Sequence, residues 1–145
     1  MRVFKLNSKA ADYKYGTVVT IGNFDGVHLG HQALILHAKS EASEKNLPCL
    51  VMLFEPQAKE YFNPSDCPAR LNSLREKIFL LKSLGVDYVA CVRFDTYLAN
   101  MLPDTFFVTL VLNACCAKQV IIGPDFYFGK GRQGSPEAMQ KLALN

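Results

Sequence analysis

Short apolar runs alternate along this chain with longer segments in which apolar residues recur at every third or fourth position. Runs of the first kind are typical of strands, and segments of the second kind are typical of amphipathic helices. The pattern predicts strands over residues 17–21, 47–54, 87–94 and 118–123. Because residues 47–54 are almost wholly apolar, we expect that strand to be covered on both faces, as strands of a parallel sheet are.

Helices are predicted over residues 30–46 and 73–85, and again from Pro103 and from Pro136. Residues 55–72 are predicted to form a loop, and loops of that length are usually binding or lid elements. The alternation of strands and helices predicts an α/β fold, a Rossmann-like open parallel sheet with helices on both faces. Ligands of such sheets bind beyond the carboxyl ends of the strands, so functional residues are expected directly after each predicted strand.

Composition and charge narrow the class of protein. The chain has 145 residues, of which 50% are hydrophobic and 20% charged, a profile typical of one globular domain. No apolar run approaches the ~18 residues of a membrane span. The first residues lack the apolar core of a signal peptide, so we expect a cytoplasmic protein without membrane association. A net charge of +3 suits an anionic small molecule and is too weak to indicate nucleic-acid binding.

Residues 22–31, Gly-Asn-Phe-Asp-Gly-Val-His-Leu-Gly-His, lie between the first predicted strand and the first predicted helix. His28 and His31 fall three positions apart in the first helical turn, so their side chains point to one side. Gly30 lets a phosphate approach the backbone, and the free N–H groups of a helix N-terminus attract anions. The segment therefore predicts an anion site, although its spacing matches neither a Walker loop nor the dinucleotide fingerprint.

Two other interpretations of these histidines stay open. His28 can simply cap the turn while His31 packs against its neighbours. The pair can also bind a metal, but Asp25 is the only third ligand nearby in the sequence, so no resident metal is predicted.

Five sequence blocks together resemble a known family. The first is the 22–31 segment, whose G-x-F-D and H-x-G-H pattern is similar to that of the nucleotidyltransferase superfamily. The others are Phe54-Glu-Pro56, Arg70-Leu71 with Glu76-Lys77, Phe94-Asp95, and residues 123–129 with Arg132 and Gly134. In this order, over residues 17–142, they resemble the N-terminal FMN adenylyltransferase module of bacterial bifunctional riboflavin kinase/FAD synthetase.

The resemblance implies transfer of AMP from ATP, accompanied by Mg²⁺, to FMN, which gives FAD and pyrophosphate. An FMN phosphate is already an anion at neutral pH, so this chemistry needs positioning and charge stabilisation rather than an activated side chain. The resemblance assigns the catalytic role to His28 and His31. It assigns ATP binding to Gly22, Asn23, Phe24, Asp25, Gly30, Gly123 and Asp125. Two roles stay open for Asp25, holding the turn and helping to place Mg²⁺, and the first is favoured.

Flavin binding is expected at Glu55, Pro56, Phe62, Phe128 and Arg132. Glu55 and Pro56 follow a predicted strand, and an aromatic ring such as that of Phe62 can cover a flat flavin. Ordinary packing or a solvated loop is the alternative for these side chains. The family usually continues Phe-Glu-Pro with His-Pro, whereas this chain has Gln57-Ala58.

The resemblance also implies parts that residues 1–145 do not contain. It expects a Ser-Ser-Thr-x-Ile-Arg segment after residues 123–129 and a C-terminal riboflavin kinase barrel. We therefore expect residues 1–145 to be an incomplete adenylyltransferase domain, with ATP and FMN as partners and an open sheet edge that favours self-association. The alternatives are a flavin- or nucleotide-binding module without turnover, and adenylyl or cytidylyl transfer to another phosphate such as phosphopantetheine or glycerol phosphate.

Overall fold

A five-stranded parallel sheet forms the centre of the protein. The computed structural model describes residues 1–6 and 13–144. The strands are β1 (Arg2–Lys5), β2 (Thr17–Ile21), β3 (Cys49–Glu55), β4 (Tyr88–Arg93) and β5 (Ala117–Ile121). They lie in the order β1-β4-β3-β2-β5, and every neighbouring pair is parallel. The predicted α/β fold with an open parallel sheet is confirmed.

Helices cover both faces of this sheet. They are α1 (Leu29–Glu44), α2 (Ala58–Phe62), α3 (Leu74–Ser83), α4 (Thr96–Ala99), α5 (Pro103–Phe106) and α6 (Pro136–Leu144), with a π-helical continuation of α5 over Phe107–Ala114. On one face, Ile35 of α1 and Leu81 of α3 pack with Val51 of β3. On the other face, Val111 and Met139 pack with the inner side chains of the same strands. Within the described ranges, no helix is long and apolar enough to cross a membrane.

Three short elements differ from the predicted pattern. Strand β1 has four residues and lies at an edge, where only Phe4 is half-buried, so it shows no apolar run. Helices α2 and α4 have five and four residues, too few to display a helical period. Helix α2 nevertheless divides the segment 55–72, which was predicted as one long loop.

The strand order brings three connections to one edge of the sheet. The chain leaves β2 toward β3 and β4 on one side, and it returns to place β5 on the other side of β2. In open α/β sheets the ligand crevice lies outside the carboxyl ends at such a reversal. The segments that follow β2, β3 and β5 therefore meet at this edge.

Candidate active site

The turn after β2 folds back on itself through residues with a left-handed backbone. Phe24 has φ of 50° and Gly26 has φ of 80°, on either side of the start of the 3-10 turn Asp25–Val27. The Phe24 ring is buried and lies beneath Gly22, where an added Cβ would stand 3.2 Å from it. Gly22 and Gly26 therefore allow a compact turn that ends at the N-terminus of α1.

His28 and His31 stack on each other at that N-terminus. Their ring centroids are 3.4 Å apart, with 21° between the planes. His28 caps α1, because its Nδ1 accepts a hydrogen bond from the backbone N–H of His31 at 3.3 Å. A neutral His28 ring whose Nδ1 is an acceptor carries its proton on Nε2, which leaves that N–H to donate to a ligand. A Cβ on Gly30 would lie 3.1 Å from this ring, so glycine makes room for the stack.

The environment of His31 favours its neutral form. Burial lowers the pKa of His31, and His28 and the Lys77 ammonium lower it further, against a smaller opposing effect of Asp25. Its Nδ1 is buried and has no hydrogen-bond partner among residues 1–6 and 13–144. The His31 ring stands nearly perpendicular to the ring of Phe24, with 5.4 Å between their centroids and 84° between the planes.

Asp25 joins the turn to the segment that precedes α3. Its carboxylate accepts hydrogen bonds from the backbone N–H groups of Leu71 at 3.1 Å and Asn72 at 3.3 Å. Burial would raise the pKa of Asp25, but these donors and the nearby lysines hold it below its ordinary value. This is the turn-holding role, since both carboxylate oxygens are used within the protein.

Lys77 of α3 bonds to the backbone of the same turn. It is 1% exposed, and its Nζ donates to the backbone oxygen of Asn23 at 2.5 Å. Burial lowers the pKa of Lys77, while Asp25 opposes that effect. A buried ammonium needs such partners, because an unpaired charge in the interior is costly.

An aromatic cavity of about 450 Å³ opens beside the turn. Its lining includes Asn23 from the turn, Lys59 and Phe62 from α2, Phe94 after β4, and Asp125 and Arg132 after β5. The rings that line it are Phe54, Phe62, Phe94, Phe106, Phe126, Tyr127 and Phe128. A volume of this size with apolar walls and few polar groups is typical of small-ligand sites.

Glu55 and Pro56, which were expected to contact the flavin, do not line this cavity. The Glu55 carboxylate instead forms an ion pair with Arg70, which donates to its two oxygens at 3.0 and 2.5 Å. The same guanidinium donates to Glu60 of α2 at 2.7 and 2.6 Å. The geometry therefore places Glu55 in an ion-pair cluster that fastens α2 to the end of β3.

The segment after β5 supplies the opposite wall of the cavity. Phe128 and Gly134 form an antiparallel bridge, so residues 128–134 make a small hairpin that carries Arg132. The Arg132 guanidinium lies 4.9 Å from the centroid of the Tyr127 ring. Gly123 has open space in front of it, with nothing within 4 Å of an added Cβ.

Comparison with known proteins decides which family has this arrangement. The model of the FAD synthetase family matches residues 10–145. The chain belongs to the FAD synthetase family. It is 47% identical over 129 residues to a bifunctional riboflavin kinase/FMN adenylyltransferase of Escherichia coli K12, covering 89% of this chain and 41% of that protein. A protein of the same name from Haemophilus influenzae is 46% identical over 125 residues, covering 86% of this chain and 41% of that protein.

This member of the FAD synthetase family spans about two fifths of the length of the curated relatives it matches. A solved structure described as a macrolide-efflux protein from Streptococcus pneumoniae has the same fold, with a TM-score of 0.80 and 25% identity. The match covers 97% of this chain and 46% of the chain in that structure. The nucleotidyltransferase type of α/β fold and the resemblance inferred from the sequence are confirmed at the level of the family.

Several residues of this candidate site were given no role in the sequence analysis, although Arg70, Lys77 and Phe94 stand in the blocks that carry the resemblance. Lys59 and Phe94 line the cavity, Arg70 fastens α2, and Lys77 supports the turn. Lys77 had a signal in the sequence, since it stands on the apolar stripe of α3 between Leu74 and Leu81 at helical spacing. The other three depend on contacts between segments that are distant in the chain.

The candidate site has no cluster of metal-binding side chains among the described residues. No group of three or more His, Cys, Asp or Glu side chains there is arranged to hold an ion. The Asp25 carboxylate is already bonded to backbone N–H groups.

Proposed function

We propose that this chain carries FMN adenylyltransferase activity, the transfer of AMP from ATP to FMN that yields FAD and pyrophosphate. The observation that carries the proposal is one cavity lined both by a cluster of aromatic rings and by Asn23. Asn23 belongs to the turn after β2, residues 22–28, which we call the phosphate-type turn because it ends at the N-terminus of α1. Such a cavity suits a ligand with a flat ring at one end and a phosphate at the other. The relatives' name, FMN adenylyltransferase, describes the same chemistry.

In the proposed reaction, a phosphate oxygen of FMN attacks the α-phosphorus of ATP. The bond between that phosphorus and the oxygen bridging to the β-phosphate breaks, and pyrophosphate departs. The nucleophile is already an anion, so the protein has to hold two negatively charged groups together and stabilise the charge that develops between them.

The N-terminus of α1 supplies the stabilising groups. Its free N–H groups and helix dipole attract the phosphates of ATP, and His28 adds an Nε2–H donor. His31 stacks against His28 and orients it. Gly123 and Asp125 follow β5 at the same edge of the sheet, and in this proposal the adenosine binds there, with Asp125 on the ribose hydroxyls.

Mg²⁺ enters this proposal as part of the ATP substrate. The ion would be held chiefly by triphosphate oxygens, because the described residues provide no ligand cage of their own. Its chemistry there is to neutralise phosphate charge. The side chains of His28 and Asn23 then place the triphosphate, and His28 also stabilises the charge that develops on it.

Adenylyl transfer is tested by incubating the chain with FMN and MgATP and resolving FAD by chromatography. FAD and pyrophosphate in equal amounts would support the proposal. Binding of both substrates without FAD would favour a binding module without turnover. FAD from a longer chain alone would show that the transfer needs the part of the protein beyond these residues. FMN replaced by pantetheine phosphate or glycerol phosphate tests transfer to another acceptor.

Residues 1–145 act in this proposal as one cytoplasmic adenylyltransferase unit. Strand β5 pairs only with β2 among the described strands, so its outer edge is available for pairing between chains. A mass that rises with concentration in light scattering would support self-association. A strict monomer at high concentration would count against it.

A further inference from the structure

Lys59 lies where the phosphate-type turn meets the aromatic cavity. It is the second residue of α2 and lines the cavity together with Ala58 and Phe62. Its Nζ is 3.8 Å from a carboxylate oxygen of Asp25 in the turn after β2. The Lys59 side chain is 40% exposed, so its ammonium can move without leaving a buried group unpaired.

The lining of the cavity combines two kinds of chemistry. The rings of Phe94, Phe126 and Phe128 are in its lining, Phe126 and Phe128 stack on each other, and such rings suit a flat heterocycle. Asn23 is also in the lining, and it belongs to the turn that ends at the N-terminus of α1. A flavin that packs on these rings with its ribityl phosphate toward the turn would bring that phosphate to Asn23 and Lys59, because both line the cavity and Lys59 pairs with Asp25 of the turn.

Lys59 is the cation best placed to meet that phosphate. The guanidinium of Arg132, the other cation of the cavity lining, lies over the Tyr127 ring. Lys77 is buried and donates to the backbone of Asn23. Asp25 does not need Lys59 as its sole partner, because backbone N–H groups already bond both of its oxygens.

We propose that Lys59 binds the phosphate of FMN and thereby makes the cavity select a phosphorylated flavin over riboflavin. This assignment rests on the proposed function, because that function requires the phosphate of FMN to point toward the turn after β2. A lysine ammonium is a mobile point charge, suited to a phosphate that must be held and then pass into a new phosphoanhydride bond.

The test compares FMN with riboflavin, because the two differ only by the phosphate. Dissociation constants of both flavins are measured by quenching of flavin fluorescence, without ATP, for the wild type, Lys59→Met, Lys59→Arg and the control Lys82→Met. Lys82 lies on the exposed side of α3, away from the cavity. Circular dichroism of each variant establishes that the fold is kept.

Lys59→Met should weaken FMN on the order of 10-fold, as loss of one charged hydrogen bond does, and leave riboflavin unchanged. Lys59→Arg should recover most of the FMN affinity, and Lys82→Met should match the wild type. Equal weakening of both flavins, or no change in either, would overturn the assignment. A wild type that does not prefer FMN to riboflavin would overturn it as well.

Failure of this assignment and failure of adenylyl transfer give different results. If Lys59→Met weakens the binding of FMN but not of riboflavin while the wild type forms no FAD, the contact between Lys59 and the phosphate is supported and the proposal of adenylyl transfer is not. If the wild type forms FAD and Lys59→Met keeps its preference for FMN, the transfer stands and Lys59 has no such role.

Discussion

Gly134 is expected to tolerate no side chain, because it lies directly against the ring of Phe128. A Cβ on Gly134 would stand 2.7 Å from three atoms of that ring, about 1 Å closer than carbon atoms pack. Two backbone hydrogen bonds of 2.8 and 2.9 Å hold Gly134 and Phe128 opposite each other. Phe128 is 5% exposed and packs on Phe106, so its ring can move away from Gly134 only toward the cavity that it lines.

The size of the effect of Gly134→Ala follows from two opposing contributions. Overpacking of this kind costs about 1–3 kcal/mol. Replacing glycine by alanine restricts the unfolded chain, which returns about 0.4–1 kcal/mol. The free energy of unfolding should therefore fall by about 1–2 kcal/mol, and for a domain of this size Tm should fall by roughly 3–8 °C.

Gly123→Ala is the matched control for this substitution. An added Cβ at Gly123 meets nothing within 4 Å, so only the restriction of the unfolded chain acts there, and the free energy of unfolding should rise by about 0.4–1 kcal/mol. Thermal and urea unfolding followed by circular dichroism measure both variants. Gly134→Ala should also weaken FMN binding, since Phe128 lines the cavity. Wild-type midpoints for both variants would refute the packing argument.

The histidine pair and the Arg70 cluster have further measurable consequences. His28→Ala and His31→Ala should each lower FAD formation by roughly 10²-fold or more, because a group that stabilises transition-state charge is lost; wild-type turnover in both variants would remove them from the mechanism. The pKa of His31 is lowered in the folded chain, so near and below about pH 6.5 the unfolded chain binds a proton that the folded chain does not. The contribution of neutral His31 to stability is therefore full above about pH 6.5 and is lost as the pH falls below that value. Urea unfolding at about pH 7.5 and 5.5 should show a smaller decrease in the free energy of unfolding for His31→Gln than for the wild type. Equal decreases would contradict the argument. The hydrogen bond from Arg70 lowers the pKa of Glu60 to about 2 from 4.5. The ion pair therefore stabilises the fold above about pH 4.5, and this contribution is lost as the pH falls toward 2. In Arg70→Met the free energy of unfolding should fall less steeply over this acid range than in the wild type, and an equal fall would show that the pair does not contribute.

The part of the fold that the sequence predicts is the part encoded by contiguous patterns. Strands β2 to β5 and helices α1 and α3 are buried on a face, so their apolar periods are visible along the chain. Strand β1 was missed because an edge strand with mostly exposed side chains has no such run. The single turns α2 and α4 owe their place to tertiary contacts, such as the bond between Tyr61 and Thr96 hydroxyls at 3.0 Å.

The candidate site divides in the same way. His28, His31 and the glycines around them occupy one short segment, so their spacing alone indicates an anion site. The pairing of Arg70 with Glu55 was not predictable, because the two residues stand fifteen positions apart and meet only when the 55–72 segment folds. The prediction that Glu55 contacts the flavin considered this side chain without its pairing to Arg70, and it stays a prediction.

The phosphate-type turn is shaped by residues outside its own motif. Phe24 and Val27 have φ of 50° and 41°, a backbone region that side chains with a Cβ rarely adopt, and such strain persists only where surrounding contacts impose it. Those contacts come from about fifty residues later in the chain, through Lys77 on the Asn23 carbonyl and the backbone before α3 on Asp25. Since Phe24 also contacts the His31 ring, the geometry of the histidine pair depends on α3 as much as on the sequence from Gly22 to His31.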